Sequence, residues 1–170
     1  MENKKLLVGI WELKHIRDDK IIYEETGENI VTYEGMNKIL NHIGGSTTLP
    51  QAWYVNLFKN NVVPSVSDTA LSCLGSNGTY GECTDSDLDP QTNRQSITFG
   101  SASNGTIASS NTIQFTAKQS FTIYGGFVAS TQAKLDTNGV LLSAKKFASP
   151  RAVQQNDILQ ITIVYTMTTS

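Results

Sequence analysis

The sequence predicts a mainly β protein: an antiparallel β-sandwich or a jelly-roll-like barrel with one short helix at about residues 33–43. Three observations predict this class. Short stretches alternate apolar and polar residues with the period of two that half-buried strands show. Turn-forming residues separate these stretches, which is typical of sandwiches and barrels. Only one segment has the apolar period of a helix. The chain of 170 residues is long enough to close one core, so we expect a single β domain over residues 1–170.

The N-terminal residues predict a β-hairpin over residues 5–25. Apolar and polar side chains alternate from Trp11 to Ile16, and Asp18-Asp19 is a turn signal. The apolar residues that follow this turn predict the returning strand. A third short strand is expected over residues 29–32.

Residues 33–43 predict the helix. Their apolar side chains, at positions i, i+3, i+4 and i+7, form one stripe that consists of Met36, Ile39, Leu40 and Ile43. Thr32 is placed to cap the first turn, and Gly44-Gly45 predict the end because glycine accepts a left-handed conformation. We expect the stripe to cover an open end of a sheet; the alternative is a partner-binding helix.

The rest of the chain predicts further strands separated by turns. Residues 75–95 predict a long loop, because small and polar residues dominate them and loops of this length are usually functional or mobile. Gly125-Gly126 indicate a bulge or a close approach of two backbones. Asn138-Gly139 indicate a hairpin turn. The strands expected after residue 50 are 52–58, 96–99, 112–116, 120–128, 140–142 and 157–168.

Charge and composition exclude several classes of function. The formal net charge is −2, the pI is near 5.6, and charged residues make up 16% of the chain, against roughly 25% in soluble domains. The basic residues alternate with acidic ones, so no nucleic-acid interface is predicted. No stretch reaches the roughly 20 apolar residues of a membrane span, and the apolar run near the N-terminus ends too early, at Glu12, for a signal peptide. We therefore expect synthesis in the cytoplasm and neither nucleic acid nor membrane as a partner.

The residue types that catalysis needs form no recognised motif. His15 lies on a strand and His42 in the last helical turn, and neither neighbours a Ser, Cys or Asp in a catalytic pattern. The adjacent carboxylates of Asp18-Asp19 and Glu24-Glu25 would point to opposite faces of a strand. We therefore predict no catalytic residue, no cofactor-binding residue and no enzymatic activity.

An acidic stretch in the long loop is the strongest candidate for a metal site. Asp85, Asp87 and Asp89 alternate along the chain, and calcium accepts several such oxygen ligands. The EF-hand pattern is broken, however, because Pro90 takes the sixth position and the distal Glu is missing. A solvated acidic loop is the preferred interpretation, and no metal-binding residue is predicted.

The two cysteines, Cys73 and Cys83, have neither a second pair nor a nearby His, so their spacing does not indicate zinc. Two free, partly buried thiols are expected in a reducing compartment, and a Cys73–Cys83 disulfide is the alternative. Trp53, Tyr54 and Tyr80 would be stacking residues for a carbohydrate if they are exposed, although Trp53 is expected in the core.

A series of short motifs follows in order along the chain. They are Asn-Ile-Val-x-x-x-Gly-Met-Asn-x-Ile-Leu (29–40), Trp53-Tyr54-Val55-x-Leu57, Asp68-Thr69, Glu82, a loop that ends in Arg94, Phe115, Gly125-Gly126-Phe127, and Arg151-x-Val153-x-x-x-Asp157-x-Leu159-x-Ile161-Thr162. In this order, the chain resembles a family of small structural proteins of tailed phages and prophages. The resemblance covers most of the chain after residue 28.

This resemblance implies a non-enzymatic virion protein. The role that it implies first is a capsid decoration or cement protein that binds the lattice of the major capsid protein or another virion protein and forms a homo-oligomer. The alternative is a tail fibre or a receptor- or carbohydrate-binding module. The extended N-terminal hairpin and the Cys73–Cys83 loop depart from the family pattern. Contacts are expected first at this hairpin and at the long loop of residues 75–95. The location that follows is the virion, after synthesis in the host cytoplasm.

Overall fold

The strands form two antiparallel sheets that face each other. The structure, a computed structural model, describes residues 7–90 and 92–168. Within them, the sheet that we call the open sheet has the order β2 (Lys20–Glu28), β1 (Leu7–Arg17), β11 (Ile158–Met167), β8 (Ile113–Ala117) and β5 (Leu88–Asp89), and β7 (Thr106–Ala108) also pairs with β11. The covered sheet has the order β3 (Ile30–Val31), β10 (Leu141–Val153), β9 (Phe121–Ala129), β4 (Trp53–Phe58) and β6 (Gln95–Ile97). The two sheets remain separate, so the sandwich form of the predicted class is confirmed rather than the barrel form.

The N-terminal hairpin is longer than the sequence predicts. Strand β2 continues to Glu28, and β1 pairs along its other edge with β11 through ten residue pairs. Asp18 and Asp19 form the turn with φ values of 49° and 59°, which are the two left-handed positions of a type I′ turn. Such a turn matches the twist of the flanking strands, so the predicted turn at Asp18-Asp19 is confirmed. Residues 1–6 lie outside the described residues.

Helix α1 (Tyr33–Ile43) has the predicted bounds. The Thr32 side chain accepts a hydrogen bond from the Gly35 amide, which confirms Thr32 as the N-cap. Met36 and Ile39 pack against the core, but Leu40 and Ile43 are 61% and 72% exposed. The apolar stripe therefore covers the end of the sandwich with only its first half.

The main core lies between the two sheets. On the open sheet, burial alternates along β1 and β11, so one side of each strand meets the core and the other meets solvent. On the covered sheet, all residues from Gly125 to Ala129 are buried, because a second apolar cluster lies on its outer face. The large members of this second cluster are Phe58, Leu74, Tyr80, Phe127 and Leu141.

The second cluster changes the interpretation of residues 75–95. We expected a long, mobile loop, yet this segment contains β5 and includes buried residues such as Tyr80, Cys83 and Leu88. The Tyr80 ring packs on Phe58 with a centroid distance of 4.8 Å. The preceding one-turn helix α2 (Ala70–Cys73) belongs to the same layer. The polar composition of the segment does not indicate this packing, because the buried apolar side chains are few among many polar ones.

Strand β10 is the largest element that the sequence pattern misses. Only residues 140–142 were expected, but β10 reaches Val153. Its first five residues are all buried and show no alternation, and its register against β9 shifts between Lys146 and Arg151. The predicted hairpin turn at Asn138-Gly139 is wrong, because the whole segment 130–140 connects β9 to β10.

Gly125 and Gly126 mark a close approach of backbone and side chains. A Cβ on Gly125 would lie 2.2 Å from the Lys145 carbonyl oxygen, and one on Gly126 would lie 2.7 Å from the Trp11 ring. The close approach is confirmed. The neighbouring irregularity belongs to the partner strand, β10, directly after the residues that face the two glycines.

Replacing Gly126 by alanine is expected to lower the free energy of unfolding by about 1–3 kcal/mol, because the added methyl group must displace the Trp11 ring. Urea denaturation followed by tryptophan fluorescence measures this change. Gly100→Ala is the matched control, since its Cβ would have no neighbour closer than 3.8 Å and the expected change is within about 0.5 kcal/mol. Equal losses of stability in both variants would contradict the close approach of the Trp11 ring to Gly126.

Candidate interaction surface

His15 belongs to a buried ion cluster. Its Nε2 lies 2.8 Å from Oδ2 of Asp157, the residue before β11, and both side chains are buried. Arg17 donates two hydrogen bonds to the same carboxylate, over 2.9 and 2.7 Å. The backbone N–H of Gln154 donates one more. Within the described residues, no hydroxyl or thiol group forms a hydrogen bond with His15. The cluster therefore ties β1 to β11 and supplies no nucleophile.

The cluster perturbs the titration of Asp157. Burial by itself would raise the pKa of this carboxyl, but the hydrogen bonds from Arg17, the Gln154 amide and His15 outweigh burial. The pKa of Asp157 therefore lies well below its usual range. A depressed carboxyl pKa adds stability that is fully present above the unfolded value of about 3.9 and is lost as the pH falls towards the folded value.

The Asp157→Asn variant is expected to unfold more easily at neutral pH and to lose less stability on acidification. The free energy of unfolding of the wild-type protein should decline more steeply than that of the variant between about pH 4 and pH 2. Chemical denaturation across this pH range measures both slopes. Parallel curves would show that Asp157 titrates alike in the folded and unfolded chains.

The acidic stretch of the long loop does not converge on one point. Asp87 is buried and accepts hydrogen bonds from the Thr84 amide over 2.8 Å and from Lys59 Nζ over 2.6 Å. Asp85 is exposed, with Lys134 Nζ 3.7 Å away, and Asp89 lies on β5. Among the described residues, no three His, Cys, Asp or Glu side chains approach in a way that could hold a metal ion. Asp87 instead fixes the turn that leads into β5.

The two cysteines lie on opposite faces of the covered sheet. Cys83 belongs to the main core and Cys73 to the second cluster, and both are buried, free thiols. Burial raises the pKa of the Cys83 thiol well above its usual value. The prediction of free thiols is confirmed, although they are more deeply buried than expected, and the structure does not show the alternative disulfide.

The other candidate residues also lie at separate places in the fold. His42 is exposed, and its Nδ1 lies 3.1 Å from the Thr47 carbonyl oxygen beyond the helix. Glu24 is exposed while Glu25 points inward, as adjacent strand residues must. Of the possible stacking residues, Tyr80 is buried, and Trp53 packs against the core as expected.

The sequence motifs contain a second ion cluster that sequence reasoning did not recognise as a pair. Arg94 donates to both carboxylate oxygens of Glu82, over 2.7 and 2.8 Å, and both side chains are fully buried. Asn56 also donates to Glu82, and the Arg94 guanidinium lies 5.3 Å from the centre of the Phe127 ring. An Arg at the end of a polar loop, twelve residues after a Glu, is a weak signal because most such charges are solvated.

Arg94 also binds the connection between β9 and β10. Its Nη1 donates to the Thr131 carbonyl over 3.0 Å, and its Nη2 donates to the Asp136 carbonyl over 3.1 Å. The Leu135 amide completes the cluster by donating to Glu82 over 3.0 Å. One ion pair therefore joins two irregular segments to each other at the margin of the covered sheet.

Replacing Arg94 by methionine is expected to lower the free energy of unfolding by about 3–5 kcal/mol, because it leaves the Glu82 carboxylate buried without its partner. The double variant with Glu82→Leu should recover part of this loss, since a buried pair is often replaceable by apolar groups. Chemical denaturation of the wild-type protein, the single variants and the double variant measures these free energies of unfolding. Lys118→Met serves as the control at a partly exposed lysine, and a loss as large as that of Arg94→Met would refute the special role of the pair.

The outer face of the open sheet is the broad surface that the fold leaves uncovered. Register places polar residues of adjacent strands side by side in two rows across it. One row consists of Glu24, Lys14, Gln160 and Gln114, and the other contains Thr26, Glu12 and Thr162. Neighbours in these rows bind each other: Thr162 donates to Glu12 over 3.0 Å, and Gln160 donates to Gln114 over 3.1 Å. These bonds order polar side chains on neighbouring strands across the face.

A row of isoleucines borders the polar rows. Ile16 lies opposite Ile21 on β2 and opposite Ile158 on β11. The register between β1 and β2 shifts after His15, so Ile22 is an additional residue of β2 that has no opposite residue on β1. The side chains of Ile21 and Ile22 are 52% and 46% exposed. A polar array beside exposed aliphatic side chains is suited to contact with another protein surface.

Comparison with known proteins finds one family whose model matches most of the chain. A protein-family model described as "Podophage GP4 fiber I protein gp80" matches residues 29–169. The matched region therefore begins directly after β2 and includes every described element from β3 to β11. No curated protein matches the chain. None of the helices in the described part of the chain has the length and apolar character needed to cross a bilayer.

Proposed function

Since the chain belongs to the podophage GP4 fiber I protein gp80 family and is therefore a phage virion structural protein, we propose that it is a non-enzymatic component of the phage fibre. The observation that carries this proposal is the family match over residues 29–169, whose description names a fibre. The candidate side chains for chemistry support a structural role, because His15 and Glu82 are engaged in buried ion clusters and Asp87 fixes the turn before β5.

The open sheet supplies the contact surface in this proposal. Its polar rows and isoleucine row face outward, while the equivalent face of the other sheet is occupied by the second apolar cluster. The partners are other fibre or virion proteins, including further copies of this chain. A polar face keeps the free protein in solution and still provides many hydrogen-bonding groups for assembly.

Capsid decoration is the second candidate. The sequence resemblance implied binding to the major capsid lattice first, and the open face would suit that role equally well. The family description favours the fibre, because it names a fibre and not a head component. A receptor- or carbohydrate-binding role would be part of a fibre function and would use residues other than Tyr80, which is buried.

Electron microscopy of virions labelled with an antibody fragment against this chain tests the location. Label on the fibres is the expected result, and label on the head would replace the fibre proposal with capsid decoration. The contact surface is tested separately with Thr162→Arg, in which a long charged side chain projects from the centre of the open face beside Glu12. We expect this variant to fold normally and to be lost from virions, whereas the control Thr48→Arg, at an exposed site outside the open face, is incorporated. Normal incorporation of both variants would contradict the assignment of the open face.

A further inference from the structure

Three buried side chains, those of Asn29, Glu25 and Lys145, lie near the point where the chain crosses from one sheet to the other. Ile30 pairs with Ala144 and Val31 with Ser143, so the same antiparallel register places Asn29 opposite Lys145. Side chains at directly opposite positions have Cβ atoms about 4.5–5.5 Å apart and lie on the same face. Asn29 and Lys145 are only 7% and 8% exposed. A lysine and an asparagine thus face each other inside the sandwich.

A carboxylate completes the group. Glu25 Oε1 lies 3.4 Å from Lys145 Nζ, and the Glu25 side chain is 8% exposed. Residues 25, 27 and 29 alternate onto the same side of the chain, and Gly27 leaves the space between the other two free. Nζ occupies this space, because a Cβ on Gly27 would lie 2.5 Å from it. The amine therefore lies beside Gly27, within reach of the Glu25 carboxylate, on a lysine whose strand position faces Asn29.

The side-chain amide of Asn29 is held in place by a hydrogen bond from its nitrogen atom. Nδ2 donates to Ser143 Oγ over 2.9 Å, and Ser143 Oγ lies 2.6 Å from the Tyr165 hydroxyl. The Oδ1 atom of Asn29 is buried without a hydrogen-bond partner. A buried salt bridge between Glu25 and Lys145 would explain those two residues, but it does not satisfy the Oδ1 atom of Asn29.

We propose that Lys145 and Asn29 form an intramolecular isopeptide bond and that Glu25 transfers the proton. Glu25 accepts a proton from the Nζ ammonium, and the neutral amine attacks Cγ of Asn29. The bond between Cγ and Nδ2 then breaks, and the departing nitrogen takes up protons, the one held by Glu25 among them. The ammonium group and the primary amide thereby become a secondary amide and one ammonium ion, with no oxidant, reductant or other reactant. The two groups are confined to one buried region at facing strand positions, which gives the high effective concentration that this attack requires.

The bond would reinforce the link between the two sheets. Residue 29 directly follows β2 of the open sheet and precedes β3 of the covered sheet, while Lys145 lies in the long strand β10. A covalent bond at this position would prevent the N-terminal hairpin from separating from β10. Such a cross-link suits a virion protein, which must survive outside the cell without being replaced.

Intact-protein mass spectrometry tests the proposal on the full chain. The wild-type protein is expected to be lighter than its sequence mass by one ammonia, and digestion should yield a branched peptide that joins Asn29 to Lys145. Lys145→Arg and Glu25→Gln should fold but retain their full sequence masses. Asn29→Asp should lose water instead of ammonia and reach the same product as the wild-type protein.

A second source of ammonia loss is controlled within the same experiment. Asn77-Gly78, Asn104-Gly105 and Asn138-Gly139 are sequences at which asparagine forms a succinimide, but such a loss would persist in Lys145→Arg and would give no branched peptide. Folded wild-type protein at its full sequence mass overturns the proposal. A branched peptide in Glu25→Gln at the wild-type yield would overturn the role of Glu25.

Discussion

The buried pair of Glu82 and Arg94 makes an irregular part of the chain serve as a structural layer. The covered sheet is apolar on both faces, so its outer face has to be shielded from water, and residues 7–90 and 92–168 form no third sheet that could do this. The polar segment after β4 provides the shield. It holds its position because Arg94 connects Glu82 to the carbonyls of Thr131 and Asp136. The desolvation of two charges is offset by a nearly complete set of hydrogen bonds to both groups.

The asymmetry between the sheets determines where a partner has access. Because one outer face is occupied, the broad regular surface that remains is that of the open sheet, with its bonded rows of polar side chains. The clusters around Asp157 and Glu82 use buried charged residues, His15 and Arg94 among them, to connect separate elements. Charge inside this protein therefore stabilises connections between elements, and the properties of its outer face are available for assembly.

Several features of the fold and of the candidate site were predictable because they depend on local sequence. The bounds of α1 follow from its apolar period and from Thr32, and the turn at Asp18-Asp19 follows from residues that tolerate left-handed backbone. Strands β1 and β11 were predictable because each has one face in water, so their patterns alternate. Strand β10 was missed because its first half is buried on both faces, which removes the alternation on which the prediction depends.

By itself, the sequence determined a mainly β chain with one longer helix, without a recognised catalytic motif, whose ordered motifs resemble virion proteins. These properties are written in composition, in periods of two and 3.6, and in short motifs. Only the tertiary structure decided that Tyr80, Cys83 and Leu88 are buried, that Glu82 meets Arg94, and that Lys145 pairs with Glu25 opposite Asn29. Each of these results depends on contacts between residues distant in sequence, and such contacts are set by sheet register and by the covering of the second sheet, which no local pattern encodes.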